Sequence, residues 1–254
     1  MSIMSKFILS VVVPSYNEMA NLQKGTLDKV LTYLGRQKYE FEVIVVDDGS
    51  TDGSREFVSK FAKVNKRVRL IEGKHSGKAG AVTSGVLSAK GDYILFTDMD
   101  QATPIEEIEK ILPHIQKGFD VVIGSRQGQR KGAPFTRKVM AKSMIVLRST
   151  IVGIPNIKDT QCGFKLFTKK AAHEIFTKVE KVHNGFKAIK GSSVTAGFDI
   201  EVLYIAESLG YKIKEVNVIW LYVETRRVSP LKDSIEGVVD LLRIKRNILS
   251  GTYK

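Results

Sequence analysis

A chain of 254 residues, 43% of them hydrophobic, is long enough to bury a sizeable core and too apolar to be disordered. The single cysteine, Cys162, excludes an internal disulfide, and with four scattered histidines it gives no zinc-ligand spacing, so a reducing compartment fits best. Lys and Arg number 40 against 27 Asp and Glu, and the net charge of +13 favours an anionic partner: nucleic acid, nucleotide, phosphate or an acidic membrane face.

In chain order, "FILSVVV" reads as a first strand rather than a signal peptide, because it lacks a small-residue cleavage site and runs into a turn. A helix is predicted from about 21 to 34, then the strand "FEVIVV", a helix from about 52 to 61, the strand "VRLIEG" and a helix from about 78 to 89. "YILFT", a helix from about 104 to 116 and "FDVVIG" complete this half. Apolar runs separated by helices describe a mostly parallel sheet covered on both faces.

After Gly124 comes the basic loop "GSRQGQRKGAP" and a predicted amphipathic helix from about 135 to 151. Residues 121–158 hold no acid, but do hold Arg126, Arg130, Lys131, Arg137, Lys138, Lys142, Arg148 and Lys158. A strand "CGFKLF", a helix at about 169–176 and an irregular basic segment at 177–195 follow. A helix at about 198–209, strand-like "YKIKEVNVIWLYV" and a final amphipathic helix at about 230–249 end the chain. No stretch reaches the roughly 18 uninterrupted apolar residues of a membrane span.

Ligands of open α/β sheets bind beyond the carboxyl ends of the strands. "PSYNE" (Pro14 to Glu18), "DDGSTD" (Asp47 to Asp52) and the pair Asp98 and Asp100 fall at such ends. Turn and cap chemistry accounts for Gly49, Ser50 and Thr51, but not for adjacent Asp47 and Asp48 after four apolar residues, which suit the donors of a nucleoside. In extended backbone Asp98 and Asp100 would point to one side, where like charges repel unless they share a cation or one is protonated. Mg²⁺ or Mn²⁺ held with substrate phosphates is one solution. A solvated loop capping a helix before Pro104 is the alternative. "EGKHSGKAGAV" is not a P-loop, since its spacing and the residue after Lys78 are wrong.

"VVVPSYNE", "VIVVDDGSTDGS", "GKAGAVTSG" and "DYILFTDMD", in this order, resemble the nucleotide-sugar half of the inverting family 2 glycosyltransferases of the GT-A fold. "VVIGSR", "IKDTQCGFKLF", "GFDIEVLYIA" and "RRVSPLKDSIEGVVDLLRIKRN" are similar to the polyprenyl-phosphate branch, and "DTQCGFKLF" looks like dolichyl-phosphate β-glucosyltransferases. Nearly the whole chain is covered. The resemblance implies one GT-A domain: residues 1–124 as a Rossmann-like nucleotide-sugar half of a doubly wound, mostly parallel sheet, and residues 125–254 as an acceptor half with an amphipathic C-terminal helix.

It also implies roles. Asp98 and Asp100 would hold a divalent cation (Mg²⁺ or Mn²⁺) on the donor diphosphate, with Pro14, Tyr16, Glu18, Asp47, Asp48, Lys78 and Met99 around the donor. Arg126, Arg226, Arg227 and Lys232 would hold phosphate, since bidentate arginine contacts suit its oxygens. Asp199 would lie near the acceptor, or alternatively cap the helix that follows it. Cys162 is expected to be a small packed residue rather than a nucleophile.

The sugar is expected to be glucose from UDP-glucose. Mannosyl-transferring relatives often carry glutamine where this chain has Ala102, with Gln101 one residue early, and their R-x-x-G-x-S-K motif is degraded over Arg226 to Lys232. GDP-mannose and UDP-N-acetylhexosamine remain as rival donors. Residues 178–194 look longer than in relatives and have no assigned role. The acceptor implied is a polyprenyl (dolichyl) phosphate. The expected setting is peripheral, on the cytoplasmic face of an anionic membrane touched by residues 135–151 and 230–249, and a homo-oligomer stays open. A nucleic-acid-binding protein, suggested by a pI of ≈ 9.7, is disfavoured: residues 121–158 hold only Phe135 as an aromatic, and clustered acids repel phosphate. A non-enzymatic membrane adaptor is the other reading.

Overall fold

Alternating apolar runs and amphipathic segments fold into a computed structural model that describes residues 7–126, 145–186, 196–221 and 230–253. The strands are β1 (Ile8–Ser15), β2 (Glu40–Asp47), β3 (Val68–Glu72), β4 (Tyr93–Thr97), β5 (Val121–Ser125), β6 (Phe164–Thr168) and β7 (Ile213–Asn217). The helices are α1 (Met19–Gln23), α2 (Thr26–Gly35), α3 (Ser54–Val64), α4 (Gly77–Leu87), α5 (Ile108–Gln116), α6 (residues 145–152), α7 (Lys169–Val182), α8 (Ala196–Ser208) and α9 (Pro230–Leu249). A 3₁₀ turn, Ile105–Glu107, precedes α5.

The seven strands form one sheet in the order β3-β2-β1-β4-β6-β5-β7. β1 pairs in parallel with β2 and β4, β2 with β3, and β5 with β7, whereas β6 runs antiparallel to both β4 and β5. The mostly parallel α/β expectation therefore holds, with one strand reversed at the centre.

Because successive strand residues face opposite ways, β1 feeds two cores. Val12 joins Ile44, Val46 and Phe96 with α4, α7, α8 and α9. Val11 and Val13 join Val43 and Val45 with α2 and α5 on the other face. The small residues of "GKAGAVTSG" let α4 lie close on the sheet: a Cβ at Gly85 would stand 2.4 Å from Val12 Cγ1.

Several element boundaries differ from the sequence expectation. The predicted 21–34 helix is two helices, α1 and α2, broken at Gly25, whose φ of 72° is left-handed. α7 runs on to Val182, so the first part of the segment read as irregular is helical, and residues 187–195 lie outside the described residues. The strand expected over 211–223 stops at Asn217. Of the helix expected at 135–151, residues 145–151 are helical and the rest lie outside the described residues. Its Arg148 does not face outward to a leaflet. It is buried, donating from Nη1 to Thr160 Oγ1 at 3.0 Å and from Nη2 to the Ile157 carbonyl.

Candidate active site

β4 is buried from Ile94 to Thr97 and delivers the carboxylate pair at its carboxyl end. Asp98 lies just past the strand, and Met99 and Asp100 occupy a turn. The backbone here is loop and turn rather than extended strand, yet both carboxylates still face one cavity as expected, whereas Met99, expected around the donor, packs its side chain into the core at 2% exposed. Asp100 Oδ1 accepts from Ala102 N at 2.9 Å, a local bond that fixes the turn. Gln101 sits at φ 49° and folds back, its Nε2 donating to the Asp98 carbonyl at 2.9 Å.

Asp98 has two unlike neighbours. Lys78, on the first turn of α4, places Nζ 2.6 Å from its Oδ1. On the other side stands Gly163, where a Cβ would fall 1.9 Å from Asp98 Oδ2. The β4–β6 register explains this, since Thr97 opposes Phe164 and the next residue of each strand end meets across the gap.

The loops after β1 and β2 interlock. Pro14 pairs with Val46 at the end of β1, and Tyr16 stacks on His75 with ring centroids 4.5 Å apart. The Glu18 carboxylate accepts from Asn21 Nδ2 at 2.5 Å. Asp47 is fully buried: Oδ2 accepts from Gly49 N (3.1 Å), Ser50 N (3.2 Å) and Arg55 Nε (2.8 Å), while Oδ1 has no partner. Asp48 accepts from Ser76 N at 2.7 Å and Gly77 N at 2.8 Å, holding the start of α4. Turn chemistry thus uses both aspartates, and only Asp47 Oδ1 keeps an unused acceptor site.

Just past β5, Arg126 meets Asp159 in a two-bond fork, Nε to Oδ2 and Nη2 to Oδ1, both 2.8 Å. This partner lies 33 residues away in sequence and was not foreseen. Asp199 is in the first turn of α8 rather than at its cap, which corrects the helix-cap alternative. Its Oδ1 accepts from Nζ of Lys165, a lysine in mid-β6 that is 1% exposed and also donates to the Cys162 carbonyl at 2.6 Å. Cys162 is buried, as expected of a packed residue. Arg226 and Arg227 lie outside the described residues, as does the side chain of Lys232 in α9.

A cavity of about 190 Å³ opens beside the pair, lined by Asp98, Asp100, Thr103, Arg126, Gln161 and Trp220 among others. Trp220 was hidden in the apolar run "VIWLYV"; the signal available was that it is the chain's one tryptophan.

Burial pushes the Asp100 carboxyl above its ordinary range, and nearby Asp98 adds to this. Burial likewise raises Glu18, with Asp100, Asp98 and Asp52 contributing. Burial opposes the Lys78 ammonium, but Asp98 foremost, then Asp199, holds its pKa above the usual lysine value. Arg126 brings Asp159 below the ordinary carboxylate range despite burial. Among the described residues no three His, Cys, Asp or Glu side chains form a metal cluster. Two hard carboxylates beside an open cavity fit an ion that takes its other ligands from phosphate and water.

The sequence pattern of "Glycosyl transferase family 2" matches residues 10–176. The chain is 35% identical over 263 residues to the dolichyl-phosphate beta-glucosyltransferase of Mus musculus, covering 97% of this chain and 77% of that protein. It is 32% identical to the Dictyostelium discoideum protein of the same name, over 97% of this chain and 76% of the other. Among solved structures, glucosyl-3-phosphoglycerate synthase from Mycobacterium tuberculosis in complex with uridine-diphosphate has a TM-score of 0.62 at 17% identity, over 94% of this chain and 80% of that one. A mannosyltransferase from Pyrobaculum calidifontis in complex with GDP-Man and Mn²⁺ has a TM-score of 0.56 at 16% identity, over 98% and 75%. Such likenesses establish the GT-A fold, and with the family match and the close relatives they establish that the chain belongs to glycosyl transferase family 2, in the group that resembles dolichyl-phosphate beta-glucosyltransferases.

Proposed function

We propose that the chain transfers glucose from UDP-glucose, with inversion, onto a polyprenyl phosphate of the dolichyl type at an anionic membrane surface. The observation that carries this reading is one cavity at the carboxyl end of β4 where the pair Asp98 and Asp100 meets the cation Arg126, with Lys78 against Asp98. Carboxylates and cations so interleaved suit a donor diphosphate and an acceptor phosphate. The names of the close relatives support glucose and dolichyl phosphate, and Ala102 argues against the mannosyl pattern.

In this reading Asp98 and Asp100 hold Mg²⁺ or Mn²⁺, which when bound offsets charge developing on the leaving diphosphate. Lys78 serves the same charge from the α4 side. A phosphate monoester, with its second pKa at about 6, is already largely ionised at neutral pH, so its oxygen attacks the anomeric carbon without a catalytic base. The new C–O bond forms as the bond to the diphosphate breaks. Asp199, tied to Lys165, accordingly serves position rather than proton removal. Arg126 keeps Nη1 and further N–H groups beyond those used by Asp159, and these would face the acceptor phosphate.

Among the described residues no helix is long and apolar enough to cross a membrane. The membrane contact proposed is made by the outward face of α9.

The test is incubation with radiolabelled UDP-glucose, GDP-mannose and UDP-N-acetylhexosamine and a short polyprenyl phosphate, with and without EDTA. Labelled lipid from UDP-glucose alone, lost with EDTA, is the expected result. No labelled lipid from any donor overturns the reading.

A further inference from the structure

We propose that Trp220 is the platform on which the hexose ring of the donor sits, so that this residue distinguishes a nucleotide sugar from the free nucleotide. The inference rests on the donor reading above and assigns its sugar subsite.

After β7 the chain is stapled to three separate elements by backbone groups on either side of Trp220. Val218 N donates to the Ser125 carbonyl at 3.0 Å, Ile219 N to Glu107 Oε2 at 2.8 Å, and Leu221 N to the Ala102 carbonyl at 2.6 Å. Glu107 is buried and bonded to Lys110 at 2.6 Å, so this anchor is itself fixed. Ile219 and Leu221 turn outward, 43% and 52% exposed. Trp220, between them, turns the other way, into the cavity that Asp98, Asp100 and Arg126 line.

The ring is backed by charge. The Arg126 guanidinium carbon lies 5.9 Å from its centroid, and Asp159 holds that guanidinium in place. Trp220 is thus a rigid aromatic face on a fixed support, with the backbone bond at Ala102 tying it to the carboxylate turn itself.

The cavity's size and lining select the ligand. A volume of about 190 Å³ falls below the roughly 300–1,000 Å³ of drug-sized sites, a size that suits a single sugar ring better than a whole nucleotide. Thr97, Thr103 and Gln161 add neutral hydrogen-bonding groups to the carboxylates. A hexose presents a C–H face to an aromatic ring and hydroxyls to such groups. Among the described residues the lining around Trp220 is mostly polar, which suits the hydroxyls of a sugar better than an isoprene unit.

Since the chain holds one tryptophan, its fluorescence reports this site alone. With Mg²⁺ present, UDP-glucose should shift Trp220 emission and UDP should leave it nearly unmoved. By calorimetry, Trp220→Ala should bind UDP as the parent protein does but UDP-glucose roughly tenfold more weakly, and Trp220→Phe should recover most of the loss. UDP-glucose binding equally well to the parent and to both variants overturns the proposal alone. So does an emission shift with a short polyprenyl phosphate and none with UDP-glucose. Failure of the parent protein to bind any nucleotide sugar overturns the donor reading and this proposal together.

Discussion

Lys78 Nζ lies 2.6 Å from Asp98 Oδ1, so the first carboxylate of the pair carries its own cation before a donor arrives. Asp199 and Asp100 also favour the charged lysine, and in the proposed reaction this ammonium serves the diphosphate charge. Lys78→Met should lower kcat/KM for the nucleotide sugar by about 10²-fold, with Lys78→Arg retaining part of the rate. Steady-state kinetics check this, and an unchanged kcat/KM would remove Lys78 from the donor site.

Gly163 is required for space rather than for its backbone angles. A methyl group there would sit 1.9 Å from Asp98 Oδ2 and 2.6 Å from Cγ, and Asp98 would have to rotate off Lys78. Gly163→Ala should therefore raise the donor KM while costing about 1–3 kcal/mol of stability, the usual range for overpacking. Denaturant titration together with donor kinetics separates the two effects. A variant with wild-type KM would show that the carboxylate position is not critical.

What the sequence made legible, and what it hid, follows from what each signal encodes. The apolar runs of β1, β2 and β4 and the polar residues at their ends were readable because burial on two faces leaves few other patterns. Strand direction was not: "CGFKLF" reads alike in either orientation, and only pairing with Thr97 and Val121 shows β6 to be antiparallel. Lys165 looked like an ordinary charged residue, yet its ammonium is held between the nearby Cys162 carbonyl and Asp199, a contact set by a helix residue 34 positions away. Arg126 stood out in the sequence as a cation suited to phosphate, but nothing near it in the chain pointed to Asp159 as its partner. Trp220 was absorbed into a strand pattern that the backbone abandons after Asn217.

The Arg126–Asp159 fork makes stability depend on pH. The folded-state pKa of Asp159 is depressed, so its contribution is present above the unfolded value of about 3.9 and is lost as pH falls through the lower folded value. Asp159→Asn should cost about 3 kcal/mol near pH 7, since it leaves a largely buried guanidinium without its anion. The deficit should shrink as both proteins are taken below about pH 4, where Asp159 protonates first in the unfolded chain and only at lower pH in the folded protein. Urea unfolding at a series of pH values tests this, and a deficit constant with pH would refute the linkage.

Lys165→Met should be more damaging than its conservative volume suggests. The substitution strands Asp199, 7% exposed, without its direct partner. Breaking such a buried pair costs about 3–5 kcal/mol, and the nearby positive charges of Lys78 and Arg126 place this case at the lower end. Adding Asp199→Asn should restore part of the stability by removing the orphaned charge. If the double variant is no more stable than Lys165→Met alone, the pair is not what the lysine supports.

α9 divides its faces sharply. Leu241 and Ile244 are buried in the core, and Asp240 turns inward to accept from Gly197 N at 2.9 Å. Val239, Leu242 and Leu249 are 59%, 57% and 76% exposed, and with exposed Arg243 and Arg246 they form one outward stripe at helical spacing. Apolar residues flanked by cations suit a helix lying in an anionic membrane interface. Each basic residue near such a surface contributes about 1 kcal/mol, so Arg243→Gln with Arg246→Gln should weaken vesicle binding about 30-fold at low salt. Leu242→Glu with Leu249→Glu should abolish it. Transfer to a short, detergent-dispersed polyprenyl phosphate should persist in both variants, because α9's outer stripe is separate from the cavity beside Asp98 and Asp100. Flotation with phosphatidylserine vesicles at low and high salt measures the binding, and equal flotation of parent and variants would show that α9 does not dock the protein.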